Sequence, residues 1–568
     1  MAKTIRVAAV QFHAGADIDA NLATTLRMLD EAAKSEADII VLPEFCNHLS
    51  WYNDKQHCFD VSVALESDFL QAIAAKARAL KTYIVVNCTV QRADNKATGS
   101  SLMYSPEGEL LGDNTKQIYI GHENDFLEKA QTPGPIVTTP IGRFGLYACM
   151  DGVINETPRG LALRGAQVLC NSLNSFASDE SSLHIPVRAA ENRVFVVAAN
   201  KVGPLVPEEM IGAISAGTGI PEKFLCGAGE SQIVSPEGEV LAIASLDQEE
   251  VIFADIDVDE ADHKCRSDGT NVFSQRRPEL YQAIAQDPAG QPRAEGSGVE
   301  SVEAAVLQSA AKGMNEALEE ALQALPELVS EGIGLIALPP LVGAGQAQED
   351  LLAAESFSLR AIDALSAVCG KAYISTALVS RNDAKQLQYC AVLISAEGLV
   401  LKQGQIHRSE RFAWSALSDS IATASLSIGN VGLLTTDDTL YPESFRLLAM
   451  AQVELAAIAL EPLQTWELQT GLLERSAENR INVLAASSDN AMGKSFITSL
   501  QKDFTVMTPW EERPFDGLLS QPIWARMEAG ESVLRAKIYP SCAENKEVSR
   551  NTHLLDNRPW ELAQAIVA

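Results

Sequence analysis

The chain carries one long pattern twice, and this limits its fold more than any other feature. "GLYACMDGVINETPR" (145–159) aligns with "GLLTTDDTLYPESFR" (432–446), so that Gly145/Gly432, Leu146/Leu433, Asp151/Asp438, Glu156/Glu443 and Arg159/Arg446 fall in register. At the same offset, "RAAENR" (188–193) meets "RSAENR" (475–480). Upstream, "SPEGELL" (105–111) meets "SAEGLVL" (395–401), "VLPE" (41–44) meets "ALPP" (337–340), and "AAV" (8–10) meets "AAV" (304–306). The tails "RRPELYQAI" (276–284) and "NRPWELAQAI" (557–566) are also alike. The order is kept throughout, and the offset drifts only where loops change length. A period this long is not that of a solenoid. It implies two copies of one fold, 1–285 and 300–568, joined by a polar, Pro- and Gly-rich linker at 286–299.

A chain of 568 residues with 46% apolar residues can fill two sizeable cores. A formal charge of −31 argues against nucleic acid as a partner. No apolar run is long enough to span a membrane, and "MAKTIRVAAVQF" reads as a first strand rather than a secretion signal. Ten scattered cysteines without a Cys-x-x-Cys pair suit reduced thiols, so the expected location is cytoplasmic. Eight histidines form no metal-binding spacing, so no metal or other cofactor is expected.

Within the first copy, strand and helix patterns alternate. "DIIVLP" (38–43), "YIVVNC" (83–88), "GLYAC" (145–149), "AQVLCN" (166–171) and "VFVVAAN" (194–200) are short apolar runs, as buried strands are. Leu22, Leu26 and Leu29 recur at helical spacing, and Ser67 or Asp68 can cap a helix over 66–80. Pro158 suits the first turn of a helix running to about Arg164. Alternation of this kind predicts an α/β sandwich.

Cys149 falls at the end of one such strand, where ligands and catalytic groups collect in α/β folds. Glu44 ends another, and Lys116 follows a Gly-containing turn. Singly, each has a plainer role: a core thiol, a surface carboxylate, a solvated hairpin lysine. Together, "LPEF", Lys116 and "GLYACMDG…ETPRGLALRGA", followed by "RAAENRVFVVAAN" and "RRPELY", resemble the nitrilase, or carbon–nitrogen hydrolase, superfamily. The resemblance covers nearly all of copy one. It implies a four-layer αββα sandwich in each copy and a Glu–Lys–Cys site. Glu44 would be the general base and Cys149 the nucleophile. Lys116 and the backbone N–H of Met150 would hold the oxyanion. Many relatives add a second glutamate; Glu128 in "FLEKAQTPG" is the expected one, with Glu123 in "GHEND" as its rival. Pocket candidates are His48, Trp51 and Tyr52 after Glu44, and Asn174, Ser175 and Phe176 after the 166–171 strand. The segment 204–226, longer than its counterpart, is expected to be a lid or a surface loop.

The second copy has Pro340 at the glutamate position, Gln405 or Ile406 at the lysine position, and Thr436 at the cysteine position. A hydroxyl without a base is a poor nucleophile. The second copy is therefore expected to be catalytically degenerate. It would replace the partner subunit of the family's dimer as an intramolecular pseudo-dimer, with further homo-oligomerisation left open. The rival role for it is a binding or regulatory domain. "CMDG" lacks the Trp-Glu that usually follows the nucleophile of nitrilases in the strict sense. The expected activity is hydrolysis of a small amide or ureido compound through a Cys thioester. Nitrile hydrolysis and a non-catalytic scaffold or sensor are the alternatives.

Overall fold

A computed structural model describes residues 4–291 and 295–568. Residues 292–294, part of the expected linker, lie outside the described residues. The chain forms two compact units. The first contains Met1–His263, Asp503–Ser520 and Glu547–Ala568; the second contains Lys264–Lys502 and Gln521–Lys546. The first unit therefore takes its last segments from the second half of the sequence, and the second unit begins in the first half, at Lys264.

The first unit is built on two six-stranded sheets. One runs Glu250–Asp257, Thr4–Gln11, Ile39–Val41, Tyr83–Arg92, Lys96–Tyr104, Leu110–Thr115; the other runs Val240–Ile243, Gln232–Val234, Phe195–Ala199, Val168–Ser172, Gly142–Ala148, Ile136–Thr139. The central strands are parallel: Ile39–Val41 pairs with both Thr4–Gln11 and Tyr83–Arg92, and Val168–Ser172 pairs with both Gly142–Ala148 and Phe195–Ala199. Their residues are buried on both faces, which explains the continuous apolar runs. The sheets pack face to face, Tyr83–Arg92 and Ile39–Val41 lying against Val168–Ser172.

Helices cover the outer faces. Helix Ile18–Ala33 starts where Asp17 accepts the N–H of Ala20, and helix Asp68–Leu80 starts at Ser67. Their buried faces, including Met28, Leu29, Leu70 and Ile73, pack on Val10, Ile40, Leu42 and Val86. Each such side chain removed from water contributes about 1.5–3 kcal/mol. Helix Glu156–Leu163, with Pro158 in its first turn, lies on the second sheet against Gly142–Ala148. Helix Ile185–Asn192 packs beside it and against Phe195–Ala199. The result is the αββα order.

The second unit repeats the plan. Its sheets run Gly398–Gly404, Leu387–Ser395, Tyr373–Arg381, Leu335–Ala337, Val302–Leu307, Val533–Ile538 and Thr423–Leu426, Gly429–Gly432, Leu455–Leu460, Asn482–Ser487, Phe496–Ser499, Ile523–Arg526. Helices Met314–Ser330 and Leu351–Val368 cover one sheet, and Pro442–Met450 and Leu472–Asn479 belong to the other. Among the described residues, no helix is long and apolar enough to cross a membrane.

The duplicated motif residues are structural in both units. Arg188 pairs with Glu191 at 2.8 Å, and Arg475 pairs with Glu478 at 2.8 Å. Arg159 donates to the Glu191 carbonyl and Arg446 to the Glu478 carbonyl. All these side chains are buried. Deleting one partner would leave an uncompensated interior charge, which explains why both copies kept them.

Candidate active site

In the first unit, three strand ends bring Glu44, Lys116 and Cys149 into one buried cluster. Glu44 follows strand Ile39–Val41, and its N–H donates to the Leu173 carbonyl at 3.0 Å. The Lys116 N–H donates to the Gly99 carbonyl at 2.9 Å. This sends the side chain inward, where Nζ stands 2.8 Å from Glu44 Oε1. Both side chains are fully buried. The other Glu44 oxygen, Oε2, has no hydrogen-bond partner among the described residues. Cys149 ends strand Gly142–Ala148 with φ +50° and ψ −110°, and its N–H donates to Asn171 Oδ1 at 3.1 Å. A non-glycine residue with positive φ costs about 1–3 kcal/mol and persists only where its surroundings hold it. The turn Met150–Val153 follows at once, so the Met150 N–H belongs to the open N-terminal end of that turn.

Burial and charge set the resting protonation. Burial, aided by the neighbouring charge of Glu123 and opposed by Lys116, pushes the Glu44 carboxyl up to about 7. Burial also raises the Cys149 thiol well above its usual range; the charge of Glu44 adds to this and Lys116 opposes it. For Lys116, burial disfavours the ammonium, but the charges of Glu123 and Glu44 outweigh it and hold the proton firmly. The resting site therefore holds a neutral thiol, a permanent cation and a carboxyl group that titrates near neutrality.

The structure places Glu123, the rival candidate, and not Glu128, beside Lys116. Glu123 is buried; it accepts from Lys116 Nζ at 3.1 Å, from the Ile120 N–H at 3.3 Å and from Ser50 Oγ at 3.2 Å. Glu128 points to solvent beside Lys96, 3.6 Å away, and stays out of the cluster. The turn Glu123–Phe126 sets this choice, turning Glu123 and Leu127 inward together.

The pocket candidates divide. Trp51 and Phe176 join an apolar wall with Ile118, Met150, Val153 and Ile154. Tyr52 packs with Phe45 and Tyr119, edge-on to Phe126, under the cluster. His48 stacks on Tyr52, and its Nδ1 lies 2.7 Å from the Leu49 carbonyl oxygen. Ser175 serves its own loop, taking the Ala177 N–H on Oγ and the Ala228 N–H on its carbonyl. Asn174 has a buried Oδ1 without a partner among the described residues. The 204–226 segment is helical in part, at Ile211–Thr218, and its Ile220 and Leu225 join the same apolar wall.

That wall is completed by sequence from the far end of the chain. Phe504, Val506, Phe515, Leu519, Val548 and Leu554 belong to it. The Asp179 carboxylate receives the N–H groups of Leu519 at 2.9 Å and Ser520 at 2.7 Å. Ser549 Oγ accepts the Gly121 N–H at 2.9 Å, and Thr552 donates to the Tyr119 carbonyl at 3.0 Å. The loop that carries Glu123 is thus braced by residues 549–552. Sequence reading missed this bracing, although the matched tails were a signal of it.

Asp151 was seen only as a repeated residue. Its Oδ1 accepts the N–H groups of Gln117 at 3.0 Å and Ile118 at 2.8 Å, directly after Lys116. Asp438 does the same for Ile406 and His407. This equivalence identifies Gln405 as the counterpart of Lys116. Asp151→Ala leaves two amide donors without their acceptor beside Lys116. It is expected to lower stability by about 1–3 kcal/mol and kcat more than KM, as thermal unfolding and steady-state kinetics would register.

The second unit carries different residues at the positions of the first unit's cluster. Pro340 replaces Glu44, and Thr436 Oγ1 is tied up with the Glu461 backbone, accepting its N–H at 2.9 Å. The Gln405 N–H donates to the Tyr389 carbonyl at 2.9 Å, so Tyr389 stands where Gly99 stands in the first unit. Its ring stacks on Phe412 at 3.9 Å. Asp437, the counterpart of Met150, is held by Arg266 at 2.7 Å, and Arg266 also holds Glu467 at 2.8 Å. A cleft of about 830 Å³ runs past Pro340, Glu461 and Ser488. A Cβ at Gly99 would come within 3.0 Å of Phe45 and 3.4 Å of Tyr119. Gly99→Ala is therefore expected to cost about 1–3 kcal/mol of overpacking and to reduce kcat, checked by melting and turnover together.

The carbon-nitrogen hydrolase family model matches residues 6–263 and again 303–515. The chain belongs to the carbon–nitrogen hydrolase family. The two matched segments make it a tandem member, as the repeated motifs implied. A nitrilase from Pyrococcus abyssi is 28% identical over 264 residues, 46% of this chain and 93% of that protein. An omega-amidase from Bos taurus is 27% identical over 294 residues, 50% of this chain and 98% of that protein. An N-carbamoylputrescine amidase from Solanum tuberosum is 27% identical over 297 residues, covering 50% and 95%. Each of these is matched nearly whole by half of this chain. Among solved structures, an amidase of the nitrilase superfamily from Nesterenkonia aligns over 50% of this chain and 97% of its own, with 20% identity and a TM-score of 0.41.

Proposed function

We propose that the first unit is an amidase-type carbon–nitrogen hydrolase working through a Cys149 thioester. One observation carries this reading. Glu44 is buried with Lys116 on one oxygen and no hydrogen-bond partner on the other, in the electrostatic field of the Cys149 thiol.

As Cys149 Sγ attacks the carbonyl carbon, Glu44 takes the thiol proton, so no free thiolate is needed. The carbonyl oxygen becomes negative and is met by the Lys116 ammonium and the Met150 N–H. Protonated Glu44 passes its proton to the nitrogen, the C–N bond breaks, and ammonia or an amine leaves a thioester. Water then attacks the thioester while Glu44 takes a proton from it. Collapse of the second tetrahedral intermediate expels the sulfur, which recovers the proton from Glu44, and the acid departs. Glu123 holds Lys116 in place without entering proton transfer.

The substrate class is a small non-peptide amide or a ureido compound. "CMDGVINE" offers no arginine for a substrate carboxylate, and the wall of Trp51, Met150 and Phe176 is apolar. The names of the bovine and potato relatives agree with amide and carbamoyl chemistry. The Pyrococcus relative is called a nitrilase, which keeps nitrile hydrolysis as the second reading. The second half, on this proposal, is kept because its C-terminal segments complete the catalytic unit. A panel of amides, ureides and nitriles read by ammonia release, wild type beside Cys149→Ala, tests the assignment. Faster turnover of a nitrile than of its matching amide would transfer it to the nitrilases.

A further inference from the structure

We infer that Lys201 is a positioning residue for Glu44, clamping the backbone just beyond the base and presenting it with a fixed positive charge. This rests on the amidase reading above. Lys201 is fully buried, and its Nζ donates to the Phe45 carbonyl at 3.1 Å. Phe45, next to Glu44, has φ +52°. A phenylalanine in that region is strained and must be held. Its N–H is held by Asn87 Oδ1 at 3.0 Å, and its carbonyl by Lys201. The peptide that aims Glu44 is thus pinned from both sides.

The duplication acts as an internal control. Some buried charges that serve the fold survive in both halves, as Arg188/Arg475 and Glu191/Glu478 do, whereas Asp179 faces Trp466. In the register of "RAAENR" and "RSAENR", Lys201 faces Ser488. Lys201, like Glu44, Lys116 and Cys149, is thus without a like residue in the second half.

The electrostatics agree. Burial lowers the Lys201 ammonium to about 8, with the neighbouring Cys46, Glu44, Cys88 and Glu123 pulling the other way. His13 and His48 also face it, and its charge helps to keep them neutral. Below pH 8 the lysine is charged and favours the carboxylate of Glu44. Removing that charge must raise the pH at which Glu44 ionises.

The test compares Lys201→Gln, which keeps a donor without charge, Lys201→Met, which keeps neither, and Lys201→Arg. The readouts are the pH profile of kcat/KM and the pH dependence of Cys149 alkylation by iodoacetamide. The Gln and Met variants are expected to move the acid limb upward in pH. The Met variant also lowers the plateau, and Arg restores the limb. An unmoved limb in folded Gln and Met variants overturns the proposal. A Gln variant that no longer folds assigns Lys201 to stability alone and overturns it equally. Turnover surviving Cys149→Ala would instead bring down the amidase reading; a dead Cys149→Ala beside an unmoved Lys201→Gln brings down this proposal only.

Discussion

Cys149→Ala is expected to lower kcat by at least about 10⁴-fold on the best amide substrate, with the fold intact. The effect is large because no other group can form the thioester. Among the described residues, the other buried cysteines of the first unit are Cys46, Cys58, Cys88 and Cys170, and burial pushes their thiols upward. What remains after removal of the sulfur is the oxyanion environment of Lys116 and Met150, which can still bind and polarise an amide. Substrate affinity, measured by calorimetry on the variant, is therefore expected to change by less than about tenfold. The cavity left by one sulfur atom at a site already 8% exposed is small. Melting should thus shift by no more than a few degrees. Loss of both binding and fold would mean that Cys149 is a packing residue.

Glu44→Gln is expected to lower kcat by about 10³-fold, and to do so at every pH. The amide is nearly isosteric but cannot accept the thiol proton or return it to the leaving nitrogen. In the wild type, Glu44 must be ionised at the start of the cycle. Its carboxyl is pushed up to about 7, chiefly by burial. The sign is fixed by this role: kcat/KM falls as pH drops through about 7 and is full above it. In Glu44→Gln that acid limb should vanish from the residual activity. The substitution also removes one of the two carboxylates that hold the Lys116 ammonium. Lys116 then keeps only Glu123, so its proton is held less firmly. A variant retaining the wild-type limb would move the base elsewhere.

The sequence disclosed most of this fold because the residues that pack it were copied. Gly145/Gly432, Arg159/Arg446 and the "AENR" turns hold the same positions in both units, and their spacing survives loop changes. Glu44 and Cys149 stood out because each follows a visible apolar run, whereas Lys116 follows the mixed strand Leu110–Thr115 and was picked out only by the family resemblance. Glu123 was not legible. It lies in an irregular stretch with no helical or strand period, six residues of which separate it from Lys116, and only the inward turn at Glu123–Phe126 distinguishes it from the exposed Glu128. The make-up of the two units was equally hidden. That residues 503–520 and 547–568 belong with the first half depends on contacts between residues hundreds of positions apart, such as Asp179 with Ser520. Local pattern carries no record of such pairing. Lys201 shows the remaining limit: it reads as a strand-end lysine until Phe45 is seen beside it.

The most direct measurement is rapid-quench mass spectrometry of the enzyme during amide turnover, followed by peptide mapping. The account predicts an acyl group on the peptide containing Cys149, labile at alkaline pH as a thioester is, with no acyl group on the peptide containing Thr436. Accumulation of the acyl group at any other residue, or turnover without any covalent species under conditions where deacylation is made limiting, would contradict it.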